Sequence, residues 1–471
     1  PQPHPIPRRQ RQMCIRDRIN SMGQNIWRYN PQKIVYEIFA EGGGNAFGLE
    51  IDSRARVYSG HNGGNTRGFH YIKGAYYQKS WGKHGSLTNE FAYGFFPAMA
   101  NAQVERFTHQ FIIYEDHVLP ERFHGKLLGV DVLHNNVVMS EIIPSGSTFK
   151  TKDIERFIKS DDPWFRPVMI TDAPDGSVYI ADWYDKQVNH YRNHEGQMDK
   201  KLGRIYRVRN KDFDFNKKID FTKLDQSELL DQLNSNSRLN RRTAFHQLKL
   251  RFGFDDLTVD WKGNPKNATQ VNYLINSGLK INLKQINDPG VKGYAIRLLS
   301  ENSGSNEYFD QFNQISLNEN NKEVISQLIS SLQQIEFINR TKLITNLLLR
   351  DDLRLDPCIP LQLWWALEAM VSNDDSFLRE IFSRRDIWGS RLVHEEILER
   401  LMRRFAAEET VEGYDRCEFL LKNAPTDDAK VKLINGFLKG GKLAHYSSLS
   451  KGLIIALENN KKLLPLSLIH I

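Results

Sequence analysis

A β-propeller segment followed by an all-helical repeat domain is the fold class that this sequence predicts, and three observations predict it. Composition changes near residue 213, with most glycines, β-rich runs and turn signals before it and Leu, Asn, Lys and Gln at helical spacing after it. A strand-turn-strand unit recurs in the first part. In the second, Arg241-x-x-Ala244-x-x-x-Leu248 returns as Lys292-x-x-Ala295-x-x-x-Leu299.

The ends come before the elements, because they alter the global numbers. Residues 13–18 read Met-Cys-Ile-Arg-Asp-Arg and residues 466–471 read Leu-Ser-Leu-Ile-His-Ile. One coding string for the second, CTGTCTCTTATACACATC, is the reverse complement of nearly all of one coding string for the first. Both look like the translated end of a transposon-based sequencing adapter. We therefore expect 1–18 and 466–471 to be adapter-derived and set them outside the fold. A basic tail and an apolar terminal strand are the alternative.

The formal charge of +7 then shrinks. Arg8, Arg9, Arg11, Arg16 and Arg18 with Asp17 carry four of those charges, which leaves +3. No strong argument for nucleic acid or an anionic membrane remains. No apolar run approaches the ~20 residues of a membrane span. Cys14 falls in the adapter, while Cys358 and Cys417 stand alone in helical sequence, so no disulfide framework and no CxxCH is present.

In the first part, residues 33–39 are β-branched and aromatic, which favours a strand. Residues 48–52 lead through a polar turn to 56–60, and 168–172 lead through Pro174-Asp175-Gly176 to 177–182. A weaker third copy runs from 126–133 to 135–139. An Asp-Gly turn between short strands is a strong hairpin signal. Units of this kind at about 40–50 residues suggest propeller blades, with a β-sandwich as the alternative. Residues 203–208 form one more alternating strand. The second part, 214–465, carries apolar helical faces at 229–233, 324–332, 376–384, 393–407, 416–422 and 428–438. Pro360 suits the first turn of the helix carrying Leu363, Trp364, Leu367 and Met370. Helix pairs at such spacing predict a HEAT/armadillo-type solenoid, with a plain bundle as the alternative.

Two polar clusters could carry chemistry. The first is His61-Asn62-Gly63-Gly64-Asn65-Thr66-Arg67-Gly68-Phe69-His70-Tyr71, directly after a strand. Its glycines would let a ligand approach the backbone, although an internally hydrogen-bonded loop accounts for them equally. The second runs from Asp162-Pro163-Trp164-Phe165-Arg166-Pro167 through Asp182-Trp183-Tyr184-Asp185 to Asn189-His190-Tyr191-Arg192. Arg offers a planar fork to a carboxylate, Asp accepts from sugar hydroxyls, and His takes a proton near neutrality. Asp182 and Asp185 could instead hold Ca²⁺, and a buried Arg166–Asp182 tie between strands competes with both. The Asn267-Ala-Thr269 sequon and Trp364-Trp365 are weak signals, the latter fitting a core.

These motifs, with Gly203-Arg204-Ile205-Tyr206-Arg207, resemble a bacterial family described as membrane-bound dehydrogenases or heme-binding-domain proteins of the planctomycete-verrucomicrobial type, also found in Bacteroidetes. Residues 359–366 and 388–404 resemble its helical part, and the likeness covers 19–465. The resemblance implies a six-bladed propeller, similar to quinoprotein glucose and sorbosone dehydrogenases, before HEAT-like repeats. It implies oxidation of a sugar or alcohol, with electrons passed to a c-type cytochrome domain, in a periplasmic, envelope or secreted setting. Pyrroloquinoline quinone and Ca²⁺ are the implied cofactors. Arg67, Arg166 and Arg204 are the expected quinone contacts. His61, His70 and His190 are expected to serve proton transfer. Asn62, Asn65, Asp182, Trp183, Tyr184 and Arg192 are expected to meet substrate. The early blades, which hold the catalytic histidine in the quinoprotein relatives, and the CxxCH are absent here, so turnover by this segment alone is not expected. The runner-up is a non-catalytic module that holds a glycan or a protein.

Overall fold

The computed structural model describes residues 21–463 except 22, 32, 80–83, 187, 189–198, 200, 214–218, 254–262, 303–305, 372–374 and 442–448. The segments read as adapter-derived lie outside the described residues, as do His190 and Arg192. The N-terminal part is built of antiparallel β-sheets and the C-terminal part of helices.

Four sheets follow one another along the chain. Sheet 1 pairs β1 (Asn25–Asn30) with β2 (Val35–Glu41). Sheet 2 runs β3 (Ala46–Ile51), β4 (Val57–His61), β5 (Thr66–Tyr71), β6 (Met99–Ala100). Sheet 3 runs β7 (Phe111–Tyr114), β8 (Lys126–Asp131), β9 (Asn136–Ser145), β10 (Thr148–Lys159). Sheet 4 runs β11 (Pro167–Asp172), β12 (Val178–Asp182), β13 (Arg204–Val208). In each sheet, strands adjacent in sequence are adjacent in space.

Alternation along the strands builds the core. Phe111, Ile113 and Leu127 of sheet 3 pack with Tyr58 and Met99 of sheet 2. The intervening residues Ile112, Tyr114, Leu128 and Val130 pack with Ile170, Val178 and Ile180 of sheet 4. Sheet 3 is thus covered on both faces, which explains its nearly continuous apolar runs.

The three sequence copies are all hairpins, but not the same hairpin. The units 48–60 and 168–182 are the first and second strands of sheets 2 and 4. The weaker unit, 126–139, joins the second and third strands of sheet 3, one strand out of step. The true counterpart of the first hairpin in sheet 3 is β7–β8, whose long connection hides it from a short-turn pattern.

Two compact units divide the chain: residues 1–88 with 95–295, and residues 89–94 with 296–471. The first therefore extends past the compositional break at 213, because α1 (Gln226–Gln232), α2 (Arg238–Phe252) and α3 (Ala268–Asn276) belong with the sheets. The physical reason is charge. Arg238 at the start of α2 pairs with Glu50 of β3 and, at 2.9 Å, with Asp172 of β11. One turn on, Arg241 lies 3.8 Å from Glu115, which follows β7. The C-terminal ends of three successive first strands thus converge on one helix. Ala268 N also donates to Ser53 O at 2.7 Å. Next in the chain, α4 (Pro289–Glu301) starts beside Asp288, which pairs with Arg54 at 2.7 Å.

The second unit holds α5 (Phe309–Asn318), α6 (Lys322–Ser331), α7 (Phe337–Leu348), α8 (Ile359–Val371), α9 (Asp375–Phe382), α10 (Arg385–Gly389), α11 (Leu398–Ala406), α12 (Val411–Asn423), α13 (Asp427–Gly440) and α14 (Lys451–Glu458). A π-turn over Val393–Ile397 leads into α11. Side-chain caps begin several helices: Asn321, Thr410, Thr426 and Ser450 each accept from a backbone N–H of the first turn. Helices two apart pack together, α5 on α7, α6 on α8, α11 on α13 and α12 on α14. Trp364 and Trp365 are core, as their spacing suggested. Their indole N–H groups donate to Phe91 O and Ala92 O, both at 2.9 Å. Arg404, fully buried, stacks 3.7 Å over Phe91 and pairs with Glu368 and Glu408. No helix among the described residues is long and apolar enough to cross a membrane.

Burial pushes the Glu50 carboxyl up to about 7, with Arg238 only partly opposing it. Asp52 is pushed up to about 6 for the same reason, partly opposed by Arg56. Folded Glu50 keeps its proton to higher pH than an unfolded glutamate, so this group's contribution to stability falls as pH rises through roughly 4.5 to 7. Glu50→Gln is expected to flatten that part of the stability–pH curve, measured by urea melts. Arg238→Met strands two carboxylates and should cost about 3–5 kcal/mol at neutral pH in the same melts; a cost under about 1 kcal/mol would mean that α2 is not held by charge.

Candidate functional site

The two ends of the first strands differ in character. At their C-terminal ends the charges are spent on α2, as above. At their N-terminal ends, Phe107, Val132 and Val168 form a small apolar cluster with Phe47, Leu133 and Ala181 packed against it. Register places the polar candidates around this second end. His61 closes β4 opposite Ala46, Asp131 closes β8 opposite Asn136, and Asp182 closes β12 between Pro167 and Arg204.

Within the first cluster, the glycine-rich stretch is a four-residue turn strapped to the segment before β7. His61 and Thr108 exchange backbone hydrogen bonds, Phe107 N donates to Gly63 O, and Asn65 N donates to Val104 O. A Cβ on Gly64 would lie 2.3 Å from Glu105 O, and one on Gly68, at φ +146°, 1.8 Å from Ser59 O. Close backbone packing therefore accounts for both glycines without a ligand. Asn62 Oδ1 accepts from Arg106 Nε at 3.3 Å, and Asn65 sits exposed at φ +58°.

Arg67 is buried rather than presented. Its Nε donates to Asp153 Oδ1 at 3.1 Å, its Nη1 donates to Thr108 at 3.1 Å, and Asp131 lies 3.9 Å away. It ties sheet 2 to sheet 3. His70 points toward the other end. Its ring lies against Tyr58 and Phe149, with Nδ1 3.3 Å from Thr148 Oγ1. Burial and the nearby Arg56 charge push it down to about 3, so it stays neutral and shut away from solvent. His61 is half-buried and T-shaped against Phe69; burial lowers its pKa, partly opposed by the Asn45 backbone, and its Nδ1 has no hydrogen-bond partner among the described residues.

The second cluster is partly exposed. Asp182 Oδ1 accepts the backbone N–H groups of Arg166 and Tyr184, at 2.7 and 2.8 Å. The Arg166 guanidinium turns to the carbonyls of Phe165 and Lys186, leaving Nε unpartnered. The tie between these residues therefore runs through the Arg166 backbone, not through an ion pair. Outside it, Trp164 and Tyr184 stack at 5.8 Å between ring centroids, Arg204 lies 4.2 Å over Tyr184, and Trp183 is 54% exposed.

One pair was not singled out from the sequence. His134 Nδ1 lies 2.9 Å from Asp131 Oδ1 and its Nε2 3.5 Å from Glu105. An Asp three residues before a His, in a turn after a strand, was the available signal.

The implied cofactors can be tested against these side chains. Arg67 is consumed by Asp153 and Arg166 by carbonyls, so of the three expected quinone contacts only the Arg204 guanidinium stands exposed. Asp182 has already committed an oxygen to two N–H groups, and no group of three candidate ligands for a metal gathers among the described residues. Arg67 and Asp182 are thus committed to the fold rather than presented to the quinone–Ca²⁺ set that the resemblance implied.

The architecture defines a mixed β and α chain whose sheets carry a polar, aromatic end. Residues 8–212 match the model of a family described as a domain of unknown function (DUF7133), a match that covers every sheet and opens inside the segment read as adapter. No curated protein and no solved structure matches the chain.

The His70 ring is expected to show no protonation step between about pH 8 and about pH 4 by NMR, given its value near 3. A step near the ordinary histidine value would mean that the ring is solvated.

Proposed function

We propose that the first unit is a run of β-propeller blades that binds carbohydrate at the N-terminal ends of its first strands, and that the second is a HEAT/armadillo-like repeat domain. Each sheet is a simple antiparallel meander, and sheet 3 packs on sheet 2 with one face and on sheet 4 with the other, which supports blades. Packing between helices two apart supports stacked helical repeats. One observation carries the binding site: exposed Trp183 beside the stacked Trp164–Tyr184 pair, with Arg204 over Tyr184 and Asp185 close by in sequence. Aromatic faces take the C–H face of a sugar ring, while carboxylate and guanidinium hold its hydroxyls.

Binding as such is favoured over oxidation, because Arg67 and His70 are locked in the fold. A dehydrogenase, oxidising a sugar or alcohol and passing electrons to haem, keeps one supporting observation. Burial lowers the His61 pKa, which favours its neutral form, and its Nδ1 has no hydrogen-bond partner among the described residues.

Calorimetry against a broad oligosaccharide panel checks the proposal. Wild type should bind at least one member, and Trp183→Ala should weaken it by about tenfold, the worth of one good aromatic contact. No binding across the panel would overturn the carbohydrate assignment. Dye reduction that depends on added pyrroloquinoline quinone, Ca²⁺ and sugar, and that is lost in His61→Ala, would instead establish the oxidative one.

A further inference from the structure

Residues 89–94, Asn-Glu-Phe-Ala-Tyr-Gly, belong to the second compact unit, although their neighbours in the chain on both sides belong to the first. They come from the connection between β5 and β6. Four side chains of the helical unit hold them, in two adjacent pairs. Trp364 and Trp365 of α8 hold the backbone, since their indole N–H groups donate to the successive carbonyls of Phe91 and Ala92. Arg403 and Arg404 of α11 hold the rings, with guanidinium carbons 4.0 Å from the Tyr93 centroid and 3.7 Å from the Phe91 centroid. Tyr93 also stacks on Trp364 at 5.8 Å. Arg404 is fixed from within the helical unit, by Glu368 and Glu408, so its place does not depend on the segment it covers.

The segment brings its own shape. Asn89 Oδ1 accepts from Phe91 N at 3.1 Å and Asn89 O accepts from Ala92 N at 3.2 Å, so a local turn satisfies both N–H groups and leaves the carbonyls to the indoles. Tyr93 takes the left-handed backbone, at φ +47°, which a non-glycine residue rarely adopts and which its ring contacts here support. Ala92 is 1% exposed, which favours a small residue between the two rings. A Cβ on Gly94 would lie 2.9 Å from Leu361 of α8, which favours glycine. Two carbonyls are common to every peptide, so selectivity rests on the spacing of the rings and on the small residues beside them.

We propose that α8 and α11 form a recognition site for a short turn-forming peptide with the pattern aromatic–small–aromatic–glycine, that residues 89–94 fill it in cis, and that a partner protein carrying this pattern takes the site when they leave. Every contact is one that a separate peptide can also make, because none of them requires the segment to be joined to the rest of the chain. A tethered occupant competes at high effective concentration, so the site is closed to a free peptide while the segment is in place. This reading is independent of the carbohydrate assignment, which concerns the sheets.

Fluorescence anisotropy with a labelled peptide of the sequence of residues 88–94 tests it on the full chain. Phe91→Ser with Tyr93→Ser should bind the peptide, and wild type should bind it about tenfold more weakly or less. Arg403→Ala added to that pair should weaken peptide binding by about tenfold, the worth of one desolvated cation–ring contact. A peptide with serine in place of both aromatics should not bind. Should the serine pair melt early, Tyr93→Ser alone replaces it, with weaker peptide binding expected. A folded strap variant that binds no peptide, wild type that binds as tightly as the variant, or binding indifferent to Arg403 and to the peptide's rings, would overturn the proposal.

Discussion

Arg238 is held between two carboxylates that belong to different sheets, and much of the first unit depends on that arrangement. Glu50 comes from sheet 2 and Asp172 from sheet 4, while Glu115 of the intervening sheet reaches Arg241 one turn along the same helix. Buried charge of either sign is costly alone, and each partner offsets part of the cost of the other. The three first strands must therefore end together, and α2 must lie across their ends. That constraint explains why the sheets and the first helices form one compact unit although their compositions differ so plainly.

The same constraint divides the labour between the two ends of the strands. One end spends Glu50, Asp172 and Glu115 on internal pairs with Arg238 and Arg241. The other end is held by a small apolar cluster around Phe107, Val132 and Val168, and its polar groups are only partly consumed. Arg67 and Asp182 serve as ties, whereas Trp183 and Arg204 remain exposed. The proposed carbohydrate binding draws on the second set, because a side chain that already satisfies a buried partner cannot leave it without stranding that partner.

Much of the fold was legible along the chain because periodicity is a local property. The hairpins at 48–60 and 168–182, the last strand at 204–208, and the helices around Ala244, Ala295 and Trp364 all stand where alternation or helical spacing put them. The misassigned third copy shows the limit. A tight turn marks a hairpin, but not which hairpin of the sheet it is, and the long β7–β8 connection carries no comparable mark. The candidate site was less legible. Arg166, Asp182 and Arg204 stand together at the end of sheet 4 while His61 closes a strand of sheet 2, Gly64 and Gly68 answer to neighbouring backbone, and His134 beside Asp131 carried too short a signal to stand out.

The sequence by itself determined the kinds of element, their order, and which residue types were available for chemistry, since propensity, alternation and turn residues act over a few neighbours. Only the tertiary structure decided which charges were free. Arg67 and Arg204 look alike as residues, but Arg67 meets Asp153, eighty-six positions away, and Arg204 meets the face of Tyr184. Whether a guanidinium is buried against a carboxylate or left in water depends on which strands become neighbours. That is settled by how whole sheets pack, and no local pattern encodes it.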